Sequence, residues 1–125
     1  MKILLDTHIL LWWLADDPLL SKKARSLITD KKNLVFISAA TAWEMMIKKA
    51  LGKLETPDNI ADMIKENNFK ELPITLVHTL TIGQLPKLHH DPFDRMLVAQ
   101  AKYESLTLIT ADEKLTAYDV NHLKV

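Results

Sequence analysis

The chain has 125 residues, with sixteen Lys plus Arg against sixteen Asp plus Glu, 48% apolar residues and no cysteine. That length suits one domain with a single real core, since a prior of roughly 150 residues per domain leaves no room for two. The apolar fraction and mixed charge exclude a disordered or collagen-like chain. The missing cysteines exclude a disulfide framework, a thiolate metal site and a cysteine nucleophile. Zero net charge excludes a uniformly basic nucleic-acid coat while leaving room for a local patch.

Lys2 followed by apolar residues imitates a secretion signal, but Asp6 and His8 interrupt the run and Leu14-Ala15-Asp16-Asp17 offers no small-x-small cleavage site. The longest unbroken apolar run, Ile9 to Ala15, falls far short of the ~20 residues that span a bilayer. The expectation is a cytoplasmic protein with no membrane association.

Taken in order, Ile3-Leu4-Leu5 predicts a short buried strand ending at Asp6. Ile9 to Ala15 suits a helix, Asp16-Asp17-Pro18 a turn, and Ser21 caps a helix running through Ile28. Leu34 to Ile37 predicts a second strand, followed by a Ser38-capped helix from Ala39 to Leu51 that Gly52 stops. Thr56-Pro57-Asp58 opens a helix to about Asn67. Leu72-Pro73-Ile74 suits a weaker third strand, because proline disfavours a central ladder position. Val77 to Leu85 is predicted helical, ended by Pro86, and Asp91-Pro92 opens the helix from Phe93 to Tyr103. Leu106 to Ile109 predicts another strand, Asp112 to Thr116 a helical turn, and the tail from Val120 a last strand. Short, wholly apolar strands alternating with helices imply a parallel sheet covered on both faces. The chain shows no repeat, low-complexity tract or linker, so one α/β domain over residues 1–125 is expected.

Four acids fall where such a sheet binds ligands, near the carboxyl ends of strands. Asp6 follows the first strand, Asp112 follows Leu106 to Thr110, Glu44 lies early in the helix after the second strand, and Asp94 occupies the first turn after Pro92. Singly, each has an ordinary explanation. Asp6 and Asp112 cap the helices that follow, Asp94 complements a helix dipole, and Glu44 pairs with Lys48 four residues on. Glu44, however, interrupts the apolar row Ala40, Ile47, Leu51, and a carboxylate buried there needs a cation. If the acids converge, two carboxylates ~4 Å apart repel by ~4 kcal/mol at an effective dielectric of 20. A hard divalent ion, Mg2+ or Mn2+, would neutralise an all-oxygen cluster of this kind. Such an ion polarises phosphoryl oxygens and activates water for phosphodiester hydrolysis.

A polyanionic substrate fits the charge distribution, because residues 21–53 hold eight basic side chains against Asp30 and Glu44. Lys48, Lys49 and Lys53 follow Glu44 closely, and Arg95 stands beside Asp94 as a candidate phosphate or carboxylate partner.

Leu4-Leu5-Asp6-Thr7-His8, Trp43-Glu44 with Ile47-Lys48 and Gly52-Lys53-Leu54, His89-His90-Asp91-Pro92-Phe93-Asp94-Arg95 with Ala99-Gln100-Ala101, and Leu108-Ile109-Thr110-Ala111-Asp112 resemble the PIN-domain ribonucleases. More narrowly they resemble VapC-type toxins of type II toxin–antitoxin pairs, over nearly the whole chain from Met1 to about Asp119. The resemblance implies a three-layer α/β/α domain with a mostly parallel sheet of four to five strands. It implies an acidic quartet of Asp6, Glu44, Asp94 and Asp112, and Mg2+- or Mn2+-dependent endoribonuclease cleavage leaving a 5′-phosphate and a 3′-hydroxyl. It also implies a homodimer neutralised by a cognate antitoxin inserted into the acidic groove. Thr110 would support the site through its hydroxyl, Lys48 and His90 join Arg95 as candidate substrate contacts, and Asp91 is either an outer acid or the cap before Pro92.

The remaining aromatic and histidine residues have plainer explanations. Trp12 and Trp13 lie in a segment apolar on every face, buried either in the core or against a partner. Trp43, Met46 and Ala50 suit core positions, and His8, His89 and His90 match no standard zinc spacing, so His89 and His90 read as loop residues near the groove, within reach of substrate. Two other activities fit less well. A phosphoacceptor receiver lacks an acceptor aspartate at Leu72-Pro73-Ile74-Thr75, and an Asp-x-Asp phosphotransferase is undercut by His8. A PIN-like module that binds RNA or protein without turnover would leave four clustered acids unexplained.

Overall fold

A computed structural model describes all 125 residues. Five parallel strands, β1 (Lys2–Leu5), β2 (Leu34–Ser38), β3 (Lys70–Leu72), β4 (Thr107–Thr110) and β5 (His122–Lys124), form one sheet in the order β3-β2-β1-β4-β5. Seven helices connect them: α1 (Thr7–Leu14), α2 (Lys22–Thr29), α3 (Ala39–Ala50), α4 (Ile60–Glu66), α5 (Leu76–Ile82), α6 (Pro92–Glu104) and α7 (Glu113–Thr116). None of them is long and apolar enough to cross a membrane.

The central strand explains the layering. Leu4 pairs in register with Phe36 of β2 and with Leu108 of β4, which leaves β1 covered on both edges. Side chains alternate across a strand, so Ile3 and Leu5 enter one core with Ile9, Leu10, Ala24 and Ile109. Leu4 enters the opposite core with Leu97, Val98, Ala99 and Leu108. Ile3, Leu4 and Leu5 are all fully buried. Successive crossovers build β2 and then β3 to one side of β1, after which the chain returns to place β4 on the other. The strands stay parallel while the direction of winding reverses between β1 and β4, and the crevice outside that switch is where open α/β sheets take ligands.

Local chemistry sets the boundaries. Asp6 caps α1, which starts at Thr7, two residues earlier than the apolar run suggests, its Oδ1 accepting the Ile9 N–H at 2.9 Å. The third strand ends at Leu72 and lies ahead of the expected Leu72-Pro73-Ile74, because Pro73 has no N–H to extend the ladder. Helix α4 starts at Ile60, beyond the Thr56-Pro57-Asp58 opening, with no side-chain cap. Helix α5 stops at Ile82, with Gly83 as its C-cap, short of the expected Leu85. Gly52 has φ 69°, the left-handed geometry that lets glycine end α3.

One buried polar chain ties the layers together. The Ser38 hydroxyl donates to Gln100 Oε1 at 2.5 Å and accepts the Ala40 N–H, joining the end of β2 to α3 and α6. His78, fully enclosed, takes the Thr75 N–H on Nδ1 and meets Glu104 through Nε2 at 3.0 Å, joining α5 to α6. Trp12 and Trp13 lie half-buried against the β1-side core, and Trp13 donates its indole N–H to Asn67. Replacing Leu4 by alanine should leave a cavity between both flanking strands and cost about 2–5 kcal/mol of stability, read as the shift of the urea-unfolding midpoint at constant slope.

Candidate active site

The end of β1 meets the end of β4 through one hydroxyl. Thr110 Oγ1 donates to Asp6 Oδ2 at 2.5 Å and accepts the Asp112 N–H at 3.0 Å, so it joins two of the acids across the switch between strands. Asp6 is 4% exposed. Burial pushes its carboxyl above the usual range, against the opposing pull of the hydrogen bonds from Thr110 and Ile9 and of nearby His8. Asp112 adds repulsion. Asp112 itself caps α7, accepting the Lys114 N–H at 2.9 Å through Oδ1, which leaves Oδ2 turned toward the crevice.

Asp94 comes from the opposite wall, in the first turn of α6. Asp91 is the cap of that helix, accepting the Asp94 N–H at 3.0 Å, and Pro92 supplies the preset φ of its first residue. Burial and repulsion from Asp91 and Glu44 raise Asp94 to about 6, although His89 opposes the shift. His89 Nε2 lies 2.8 Å from Asp94 Oδ2 and 3.9 Å from Asp112 Oδ2. One ligating atom each of His89, Asp94 and Asp112 falls within 4.8 Å of the others.

Glu44 stands apart from this trio. Its Oε1 accepts from Thr7 at 2.7 Å, and its Oε2 meets Lys48 Nζ at 2.8 Å. Glu44 is buried, so Lys48 is the cation that burial demands. The pairing raises the Lys48 pKa, with further attraction from Asp91 and Asp94. Lys48 is thus paired with Glu44 and within electrostatic reach of Asp91 and Asp94.

Arg95 does not face the acids as expected. Its guanidinium donates to the carbonyls of Ile82, Pro86 and His89 and to the Tyr118 hydroxyl. It is a clamp on the segment carrying His89. His90 is exposed and contributes only its backbone N–H, to His89 Nδ1. Much of the basic patch is also placed or paired elsewhere. Lys31 and Lys32 precede β2 at the amino ends of the strands, opposite the acids, while Arg25 pairs with Asp16 and Lys49 with Asp58.

Trp43, Met46 and Ala50 correct the core assignment, since all three are exposed. Helix α3 turns its opposite face, with Ala40, Thr41 and Met45, inward. Sequence reasoning left His89 outside the acidic set. The available signal was its place five residues before Asp94, on the loop that enters a capped helix.

The donor set suits a hard divalent cation. Asp94 and Asp112 supply converging carboxylate oxygens with no cation of their own, and Asp6 backs them through Thr110. Because the folded pKa of Asp94 lies above its ordinary value of 3.8, the native state binds the extra proton between about pH 4 and 6. Its contribution to metal-free stability is present at low pH and lost as pH rises through about 6. In chelator, Asp94→Asn should raise Tm at pH 7.5, and that advantage should vanish toward pH 4. Thermal melts of both proteins across that range measure the difference.

The family profile for the PIN domain matches residues 3–121. Among solved structures, VapBC2 from Rickettsia felis, bound to a DNA fragment from its promoter, has a chain 15% identical at a TM-score of 0.74, covering 100% of this chain and 99% of that one. VapBC from Salmonella typhimurium gives 14% identity and a TM-score of 0.72, with 99% and 98% covered. FitAcB from Neisseria gonorrhoeae gives 21% and 0.65, with 98% and 96% covered. Comparison with curated proteins finds no match. These identities speak to the fold, and the profile spans nearly the entire sequence, so the chain belongs to the PIN-domain family.

Proposed function

We propose that this PIN domain is a divalent-metal-dependent endoribonuclease acting in the cytoplasm as the toxin of a toxin–antitoxin pair. The observation that carries the reading is the convergence of Asp94 and Asp112 at the strand switch, with Asp6 bonded in behind them. The likeness of fold to the VapBC and FitAcB structures supports the two-protein setting.

Bound there, Mg2+ or Mn2+ would polarise a phosphoryl oxygen and lower the pKa of an attacking water. The residues of the chain do the rest. Asp6, Asp94 and Asp112 hold the charge that retains the ion, and Thr110 fixes the Asp6 rotamer while steering the Asp112 backbone. Glu44 completes the acidic pocket while orienting Lys48, whose ammonium lies within electrostatic reach of Asp94 and offers a phosphate contact. Asp91 shapes the site from outside by capping α6. An antitoxin segment carrying a basic side chain would satisfy the same acids and exclude RNA.

A second copy of the chain has an apolar face to use. Trp43, Ile47 and Leu51 on the outer side of α3 and Leu76 and Leu80 on α5 are exposed. Trp43 also lines an apolar cleft of about 170 Å³ with Ile74, Ile82 and Phe93, and packs edge to face on Phe93 at 5.1 Å. Exposed aromatic and aliphatic side chains in this number favour an interface. Leu80→Glu should convert a dimer into a monomer by light scattering after size exclusion, while the unchanged mass of a monomeric wild type would remove the homodimer.

Single-stranded RNA incubated with wild type and Mn2+ should be cut to 5′-phosphate and 3′-hydroxyl ends, and chelator should stop the reaction. Asp6→Asn and Asp94→Asn should each lower the rate by at least about 100-fold, a loss of roughly 2.7 kcal/mol of transition-state stabilisation. RNA binding without turnover in the wild type would make the domain a non-catalytic module, and wild-type rates in either variant would overturn the residue assignment.

A further inference from the structure

His89 is the one nitrogen donor in the acidic cluster. Its Nδ1 accepts the His90 backbone N–H at 3.1 Å, so in the neutral ring the hydrogen sits on Nε2 and points at Asp94 Oδ2, 2.8 Å away. Asp112 Oδ2 lies 3.9 Å from the same nitrogen. An octahedral ion bound at about 2.1 Å places neighbouring donors about 3 Å apart and opposing ones about 4.2 Å apart. The two separations from His89 Nε2, 2.8 and 3.9 Å, are near that spacing, and moving the ring hydrogen off Nε2 frees that nitrogen's lone pair to face an ion beside the carboxylates. Side-chain exposure is 13% for His89 and 21% for Asp94, so the imidazole is a built wall of the pocket and not a passing surface residue.

The loop that carries His89 is held in place. Arg95 donates to the carbonyls of Pro86 and His89 from the helix that presents Asp94, which fixes the imidazole relative to the carboxylate. Glu44 is the alternative fourth donor, yet both its oxygens are already engaged by Thr7 and Lys48.

We propose that His89 Nε2 is a direct ligand of the divalent cation, beside Asp94 and Asp112. On binding, the ring hydrogen transfers to Nδ1, and the His90 N–H, which lies in an exposed loop, turns to water. An imidazole among carboxylates favours a first-row transition ion over Mg2+, whose preference is for oxygen alone. The site therefore prefers Mn2+ to Mg2+. This inference rests on the metal-dependent reading above and deepens it.

The test loads the metal-free full chain with one equivalent of Mn2+ and records pulsed electron paramagnetic resonance. Wild type should show the hyperfine coupling of a directly bound 14N, and His89→Gln should lose it. Titration should show His89→Gln weakening Mn2+ by about tenfold or more and Mg2+ by less, in the range that ligand-shell changes produce. His89→Asn serves as a second variant, and an unchanged metal-free melt shows that each is folded. Absence of nitrogen coupling in wild type overturns the proposal. So does a coupling that persists in both variants, which would identify another histidine, or tighter Mn2+ binding without the imidazole, which would make His89 a mere occupant of the site. Asp94→Asn separates the two levels of argument. If it abolishes Mn2+ binding while His89→Gln has no effect, the nuclease reading stands and the nitrogen ligand falls. If wild type binds no Mn2+, both fall.

Discussion

Repulsion between carboxylates confined at the switch between β1 and β4 is the constraint around which this domain is arranged. Two like charges ~4 Å apart at the edge of a protein oppose folding by several kcal/mol. Here one carboxylate oxygen each of Asp94 and Asp112 lies within 4.8 Å of the other, and Asp6 is almost fully buried behind them. The chain handles the strain locally. Backbone N–H groups are aimed at Asp6, Asp91 and Asp112, Thr110 donates to Asp6, Lys48 is committed to Glu44, and His89 reaches toward the remaining pair. What is left is a deficit of positive charge, expressed as the upward displacement of Asp6 and Asp94.

That arrangement depends on the strands more than on the loops. Leu4 and Leu108 stand side by side in register, which sets the ends of β1 and β4 level and brings Thr110 to Asp6. The two apolar cores above and below hold this registry, since a slip of one residue would send Ile3 and Leu5 to the wrong face. Electrostatic strain at the rim is thus borne by hydrophobic burial at the centre, a division common in small α/β proteins whose sites carry unfavourable charge.

Much of this was legible in the letters. Asp6 and Asp112 each follow an apolar run that has no alternative to being a strand, so their place at a strand end required no contact information. The Asp91-Pro92 opening likewise places Asp94 in a first turn. Three things were not legible. Periodicity shows which residues share a helical face but not which face is covered, and Trp43 and Met46 therefore looked like core. The direction of Arg95 depends on carbonyls of Ile82, Pro86 and His89, which no side-chain pattern reports. The approach of His89 to Asp112 joins residues 23 apart through the fold alone. The third strand lies ahead of Leu72-Pro73-Ile74 for a different reason, since Pro73 lacks the N–H that would extend the ladder.

The Arg95 clamp carries one more implication. Because a single guanidinium on α6 fastens the loop bearing His89, the imidazole and the Asp94 carboxylate are mechanically one unit. A binding protein that pried up residues 82–89 would dismantle the pocket from below, silencing the acids without ever touching them.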